Sequence, residues 1–145
     1  MRVDFYQLSR DPVEQVIPAI AQRLLDDGGR LLVVDGREGA LDTLSRSLWA
    51  WREDSFLAHG QAGDDDALAQ PILLSASDDP SNGARHIALA DGKWRDAALS
   101  FDRAFYFFDD GTIDAARQCW RDLKGKDGVT SHFWRQEGRK WVEGP

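Results

Sequence analysis

The hydrophobic and polar positions along the chain predict strands that alternate with helices. Residues 2–8 (RVDFYQL) have a strand pattern, and residues 30–35 (RLLVVD) form a short apolar run typical of a central strand covered on both faces. Between these strands, apolar residues recur three and four positions apart, as on one side of a helix. They are Val13, Val16, Ile17, Ile20 and Leu24. This order predicts a βαβ unit at the start of the chain.

The first helix has recognisable signals at both ends. Asp11 is placed to cap the helix, Pro12 suits its first turn, and Glu14 is placed to close a capping box. The Asp-Asp-Gly-Gly sequence of residues 26–29 predicts the end of the helix. Pro18 falls inside it, so we expect a kink or a lost hydrogen bond there.

The rest of the chain continues this alternation. Helical patterns cover residues 38–51 and 112–124, and residues 60–70 have the composition of an exposed, mobile loop. Further strands are predicted over residues 71–75, 85–90 and 104–108, with a terminal hairpin formed by SHFWRQ and RKWVE. The prediction is a single domain over residues 1–145, with a three-layer α/β fold and a mostly parallel sheet.

Two tryptophans near the end of the second helix are predicted to face different ways. Leu41, Leu44, Leu48 and Trp51 share one apolar stripe, so Trp51 extends the side that faces the core. Trp49 falls roughly 120° away on the helix and is predicted to lie half exposed at its flank. The pattern leaves two roles open for Trp49, covering the edge of the sheet or taking part in an interface.

Composition narrows the class of partner and the compartment. The chain has 18 Lys and Arg against 25 Asp and Glu, for a net charge of −7. Since affinity for duplex DNA comes largely from neutralising phosphates, DNA binding by the whole surface is disfavoured. A single cysteine excludes an internal disulfide and agrees with a cytoplasmic protein. The first residues lack the apolar core of a signal peptide, and no apolar run approaches the roughly 20 residues of a membrane span.

Few residues are arranged for catalysis or for holding a cofactor. The turn at Asp35 and Gly36 lacks the glycine-rich phosphate-binding motifs, although Asp35 could bind a ribose. Cys119 lies in mid-helix and is predicted to be a small buried side chain. The three histidines and the aspartate clusters lack metal-ligand spacing. These residues therefore give an enzyme only weak support, and we predict no cofactor and no metal. The alternative is a small α/β nucleotide-binding protein or enzyme that uses the turn at Asp35 and Gly36.

The last helix carries a basic face beside an aromatic side chain. Arg117, Arg121 and Lys124 share one side of the helix, and Trp120 lies next to them. Arginine can grip a carboxylate with two hydrogen bonds, and an aromatic ring can receive an apolar side chain. The pattern suits a peptide with acidic groups and an apolar end, and it is also the pattern of an ordinary solvated helix face.

Several stretches together resemble the chi subunit family of bacterial DNA polymerase III, part of the clamp-loader assembly. The resemblance covers essentially the whole chain, and the order of LW, SF and a histidine is its most specific part. The stretches are VDFYQL, GRLLVVD, LDTLSRSLWAW, SFLAHG, AARQCWRDLK and HFWRQEGRKWV.

The resemblance implies a fold like a mononucleotide-binding (Rossmann-like) fold without its phosphate loop. It also implies a non-catalytic adaptor in DNA replication, which binds the psi subunit and the acidic, phenylalanine-ended C-terminal tail of single-stranded DNA-binding protein. Such an adaptor would contact DNA only indirectly, through this partner.

The resemblance also suggests residues for the tail site. Arg117 and Trp120 match the family's basic and aromatic positions on the last helix, and Trp49 matches a tryptophan implicated in the same surface. The family can carry a lysine where this chain has Ile113, so Arg121 and Lys124 are the candidates to supply that charge.

Overall fold

The computed structural model describes residues 1–52, 54 and 56–144, which form alternating strands and helices. The strands are β1 (Arg2–Gln7), β2 (Leu31–Val34), β3 (His59–Gln61), β4 (Ile72–Ser75), β5 (His86–Leu89), β6 (Arg103–Phe108), β7 (Thr130–Glu137) and β8 (Lys140–Gly144). The helices are α1 (Val13–Asp26), α2 (Ala40–Trp49) and α3 (Ile113–Lys124), with short 3-10 turns at Ala67–Ala69 and Asp96–Ser100. Within the described part of the chain, no helix is long and apolar enough to cross a membrane.

These strands form one sheet in the order β3-β4-β2-β5-β6-β1-β7-β8. Neighbouring strands run parallel, except that β8 is antiparallel to β7. All of β2 is buried, as expected for a central strand. The predicted three-layer α/β fold with a mostly parallel sheet is confirmed.

The sheet separates two hydrophobic cores. Helices α1 and α2 cover one face, and their buried side chains pack with residues such as Phe105 of β6. Helix α3 covers the other face, where it packs with Phe5 and Tyr106. We call these the α1/α2 face and the α3 face. Because successive side chains of a strand point to opposite sides, Tyr6 lies on the α1/α2 face although Phe5 lies on the α3 face.

Both of the first two helices differ in detail from their predictions. The predicted capping box of α1 is wrong, because no side chain caps the helix and Asp11 instead accepts a hydrogen bond from Gln136, 2.7 Å away. Helix α1 continues through the buried Pro18. Helix α2 ends at Trp49, and Trp51 reaches the core of the α1/α2 face from beyond the helix.

The segment of residues 60–70 is more structured than predicted. Its first residues complete β3, which pairs with β4, and Ala67 is buried with the core of the α3 face. A Cβ on Gly60 would lie 3.0 Å from the Cα of Ala67, so the glycine allows the 3-10 turn to pack closely on the strand. Because this segment is mostly polar, its short edge strand was not predicted from the sequence.

Polar contacts anchor the β7–β8 hairpin to the rest of the sheet. The indole of Trp134 donates a hydrogen bond to the completely buried Asp4, 2.9 Å away, and Arg2 and Arg103 bind the same carboxylate. Burial raises the pKa of Asp4, but these hydrogen bonds outweigh it and lower the pKa overall. The hairpin is thus tied to β1 by a buried charge as well as by backbone pairing, and it was correctly predicted.

Candidate peptide-binding site

Helix α3 has one side in the core and the other in solvent, as its sequence predicts. Its buried residues are Ala116, Cys119 and Leu123. Its exposed basic residues are Arg117, Arg121 and Lys124. Since both sets fall where the helical spacing places them, the basic face predicted from the sequence is present.

A cavity of about 220 Å³ lies between α3 and strands β1, β6 and β7. It is lined by Phe5, Phe108, Ala116, Arg117, Trp120, Arg121 and Phe133. The three phenylalanines come from three different strands and form an aromatic floor, while the two exposed arginines stand at the rim. Pockets for drug-sized ligands have volumes of roughly 300 Å³ or more, so this cavity suits a single apolar side chain.

The wall formed by Trp120 is held in place by a chain of aromatic contacts. Its ring packs edge-on against Phe5, with centroids 5.1 Å apart, and Phe5 in turn contacts Tyr106 at 5.4 Å. The buried hydroxyl of Tyr106 donates a hydrogen bond to the carbonyl of Gly92, 2.8 Å away. Because these side chains are already fixed, a ligand entering the cavity would have little of the wall left to order.

Among the described residues, neither rim arginine has a close acidic partner. The Arg117 guanidinium lies 3.9 Å from Asp114, and the two side chains are 64% and 97% exposed. A surface pair of this kind contributes at most about 1 kcal/mol, so it would not prevent Arg117 from binding another carboxylate. Arg121 donates to Gln118 at 3.0 Å, and the same Gln118 binds Asp122 at 2.8 Å. Asp122 therefore accepts its hydrogen bond from the glutamine and not from the arginine.

Lys124 and Ile113 lie outside this cavity. Ile113 is partly buried against the core of the α3 face, so its side chain helps to fix the start of the helix. Of the two candidates for an additional charge, Arg121 lines the cavity, whereas Lys124 is exposed and is not part of the lining.

Trp49 lies on the other face of the sheet. Helix α2 packs on β3 and β4 on the α1/α2 face, whereas α3 packs on β7 on the α3 face. Strands β4 and β7 are five steps apart in the sheet order, which corresponds to roughly 24 Å at about 4.8 Å per step. The expectation that Trp49 belongs to the same surface as Trp120 is therefore wrong. The error was to place Trp49 on the α3 face. The prediction that its side chain is half exposed was correct.

Trp49 instead belongs to an exposed aromatic cluster. Its side chain is 55% exposed and contacts Phe56, which is 70% exposed, with ring centroids 5.4 Å apart. The ring of His59 lies 4.6 Å from Trp49 and is fixed by a 2.8 Å hydrogen bond with Ser45. Ser55, the serine of the SF motif, lies outside the described residues. We call Trp49, Phe56 and His59 the aromatic cluster of α2.

The turn after β2 offers little to a phosphate group. The amide of Gly36 donates to Asp91 at 2.9 Å, and the amide of Arg37 donates to Asp35 at 3.0 Å. Both carboxylate side chains are completely buried and each also binds an arginine. A cavity of about 440 Å³ lies beside this turn, and its charged lining is mixed, with Asp35 and two glutamates beside Arg37 and Arg46. Since carboxylates already occupy these amides, the geometry disfavours the nucleotide-binding alternative.

The surroundings of the remaining candidate residues favour structural roles. Burial raises the pKa of the Cys119 thiol to about 12, so the thiol stays protonated at neutral pH, as expected for a small buried side chain. Among the described residues, no group of His, Cys, Asp and Glu is arranged to hold a metal ion. His132 lies 2.6 Å from Glu143 at the surface of the hairpin.

Comparison with known proteins identifies the family. No curated protein matches the chain. The family model described as "DNA polymerase III chi subunit, HolC" matches residues 1–130. This match covers every element from β1 to α3 and ends at the first residue of β7. The chain therefore belongs to the family of DNA polymerase III chi subunits and is an accessory subunit of DNA polymerase III.

Proposed function

We propose that this chain is a non-catalytic adaptor that binds the acidic C-terminal tail of single-stranded DNA-binding protein in the cavity beside α3, and the psi subunit elsewhere. The observation that carries the proposal is one cavity with an aromatic floor and two exposed arginines at its rim. It combines an apolar binding surface with positive charge on a protein whose net charge is −7.

The chemistry of the tail matches both parts of this cavity. The terminal phenylalanine ring would enter between Trp120 and the aromatic floor, where offset or edge-on ring contacts are favourable. Arg117 and Arg121 would then bind the terminal carboxylate and a preceding acidic side chain. A short peptide forms a small interface, so we expect a micromolar dissociation constant, about −8 kcal/mol in free energy.

The direct test is a titration with an acidic peptide that ends in phenylalanine, followed by tryptophan fluorescence. We expect saturable binding with a micromolar dissociation constant, weakened by added salt because the arginines are exposed. Trp120 is the expected reporter because it lines the cavity. The control is the same peptide with an amidated C-terminus, which removes the terminal charge. Absence of binding at low salt, or equal binding of the amidated peptide, would contradict the proposed carboxylate recognition.

Replacing Arg117 with alanine is expected to weaken binding of this peptide at least tenfold, roughly the loss of one charged hydrogen bond. Its unfolding free energy should change by no more than about 0.5 kcal/mol, because the side chain is exposed and has a single weak partner. The matched control is Lys124→Ala, which removes the same charge from the same helix but outside the cavity. Equal losses in the two variants would show a general charge effect and no defined site.

The second surface that we assign is the aromatic cluster of α2, which we propose as the contact for the psi subunit. Trp49 and Phe56 are exposed, and aromatic side chains are enriched in the centres of protein interfaces. An adaptor must hold two partners at once, so its two surfaces should not overlap. The opposite positions of the cluster and the α3 cavity on the sheet satisfy this condition. Contact with DNA would then be indirect, through the single-stranded DNA-binding protein.

A further inference from the structure

Part of the cavity beside α3 is built by the terminal hairpin. Phe133 of β7 lines the cavity, and it packs against Phe108 with ring centroids 6.3 Å apart. Phe133 lies beyond residues 1–130, which the chi family model matches. This wall of the cavity therefore comes from a part of the chain outside the matched family core.

The position of the Phe133 ring depends on the residue opposite it in the hairpin. Phe133 pairs with Gly144 of β8 in the antiparallel register. A Cβ built on Gly144 would lie 2.6 Å from Cδ1 and 3.0 Å from Cε1 of the Phe133 ring. Real Cβ atoms essentially never make contacts as short as the 2.6 Å to Cδ1, so the ring occupies the space that a side chain at position 144 would need.

Glycine at position 144 is not required by the backbone. Its φ angle lies outside the left-handed region, in contrast with Gly138 in the turn of the same hairpin, whose φ is 62°. The missing side chain is therefore the property that matters at position 144. Cδ1 and Cε1 of the ring lie against Gly144, and the same side chain lines the cavity.

We propose that Gly144 keeps the cavity open by letting the Phe133 ring lie over β8, and that the hairpin thereby sets the size of the apolar side chain that the cavity accepts. This inference rests on the proposed function of the cavity as a peptide site. Gly144 and Phe133 act as specificity determinants for the last residue of the bound peptide. A side chain at position 144 would push the ring into the cavity and exclude a large terminal residue.

The test compares peptides that differ only in their last residue. For Gly144→Val, we expect the phenylalanine-ended peptide to bind about fivefold more weakly or worse, since overpacking an ordered site is costly. We expect the alanine-ended peptide to bind weakly to the unmodified chain, and its affinity should change by less than about twofold because it needs little of the cavity. The preference for the phenylalanine-ended peptide over the alanine-ended peptide would therefore be smaller in Gly144→Val than in the unmodified chain. Both affinities are measured by fluorescence titration on the full chain, with thermal unfolding as a check on folding.

Two further variants make the result decisive. Gly125→Val is the matched control, because a Cβ on Gly125 meets nothing within 4 Å and its φ is −99°. Adding Phe133→Ala to Gly144→Val should restore room and recover part of the affinity for the phenylalanine-ended peptide. Unchanged peptide preference in a folded Gly144→Val chain overturns this inference alone. Absence of peptide binding by the unmodified chain overturns the proposed function and this inference with it.

Discussion

Replacing Trp49 with alanine is expected to weaken binding of the cognate psi subunit about 30-fold or more, while binding of the acidic peptide stays unchanged. Central interface tryptophans commonly contribute about 2 kcal/mol or more, which corresponds to such a factor. Trp49 also holds Phe56 and His59 in the aromatic cluster of α2, so its removal would disturb the whole surface. The measurement is a calorimetric or surface-based titration with psi, made beside the peptide titration on the same preparation.

The matched control for this variant is Leu68→Ala. Leu68 is 61% exposed, similar to Trp49, but it lies on the 3-10 turn outside the aromatic cluster. We expect Leu68→Ala to bind psi normally, and Phe56→Ala to lose affinity in the same direction as Trp49→Ala. Normal psi binding by both aromatic variants would contradict the placement of psi on this surface. A parallel loss of peptide binding in Trp49→Ala would contradict the separation of the two surfaces.

The placement of the two proposed surfaces is compatible with binding of two partners at once. Trp49 ends a helix on the α1/α2 face, whereas Arg117 belongs to a helix on the opposite face. Because the sheet lies between the two surfaces, binding at one surface need not displace the partner at the other. Saturating peptide should therefore leave the affinity for psi unchanged.

Local patterns in the sequence were sufficient for the elements and for the side of each helix that faces the core. The apolar run of β2 predicted a fully buried strand, and the spacing of Ala116 and Leu123 predicted the buried side of α3. Both features depend on the periodicity of apolar residues within one element. This periodicity is visible in the sequence of that element and does not require knowledge of the elements that pack against it. The arginines of the rim were found for the same reason.

The position of Trp49 depended on information that no local pattern contains. Whether a helix covers one face of a sheet or the other is set by strand order and by the hand of each connection. The sequence showed that Trp49 would be half exposed, and the structure confirms this at 55%. It did not show that β2, β5, β6 and β1 lie between the strand beneath α2 and the strand beside α3.

The aromatic floor of the cavity was missed for a related reason. Phe5 and Phe133 are directly paired across β1 and β7, yet they are far apart in the sequence. Each of them reads as an ordinary core residue of its own strand. Their meeting under α3 follows from the parallel register, which becomes visible only in the assembled sheet.

The acidic residue at the end of β5 contributes a stability that depends on pH. Asp91 accepts hydrogen bonds from the amides of Gly36 and Lys93 and from both terminal nitrogens of Arg95, at 2.8 to 3.2 Å. Burial raises the pKa of Asp91, but these hydrogen bonds and the arginine charge outweigh it and lower the pKa from 3.8 to about 2. The carboxylate therefore joins the turn after β2 to the loop after β5 in its charged form.

Acidification from pH 4 to pH 2 is expected to remove about 2 kcal/mol of unfolding free energy through Asp91 alone. The folded pKa is below the unfolded value, so this stability is present above about pH 4 and is lost as protons bind at lower pH. In Asp91→Asn, urea unfolding at neutral pH should show that the unfolding free energy falls by at least this amount. The difference in unfolding free energy between the variant and the unmodified chain should narrow between pH 4 and pH 2. Asp102→Asn is the control, because Asp102 forms a similar pair with Arg85, but both side chains are exposed. Its loss should be much smaller than that of Asp91→Asn, because pairs between exposed side chains contribute little to stability. If the unfolding free energies of Asp91→Asn and the unmodified chain differ by the same amount from pH 7 to pH 2, the charged carboxylate is not the source of the stability.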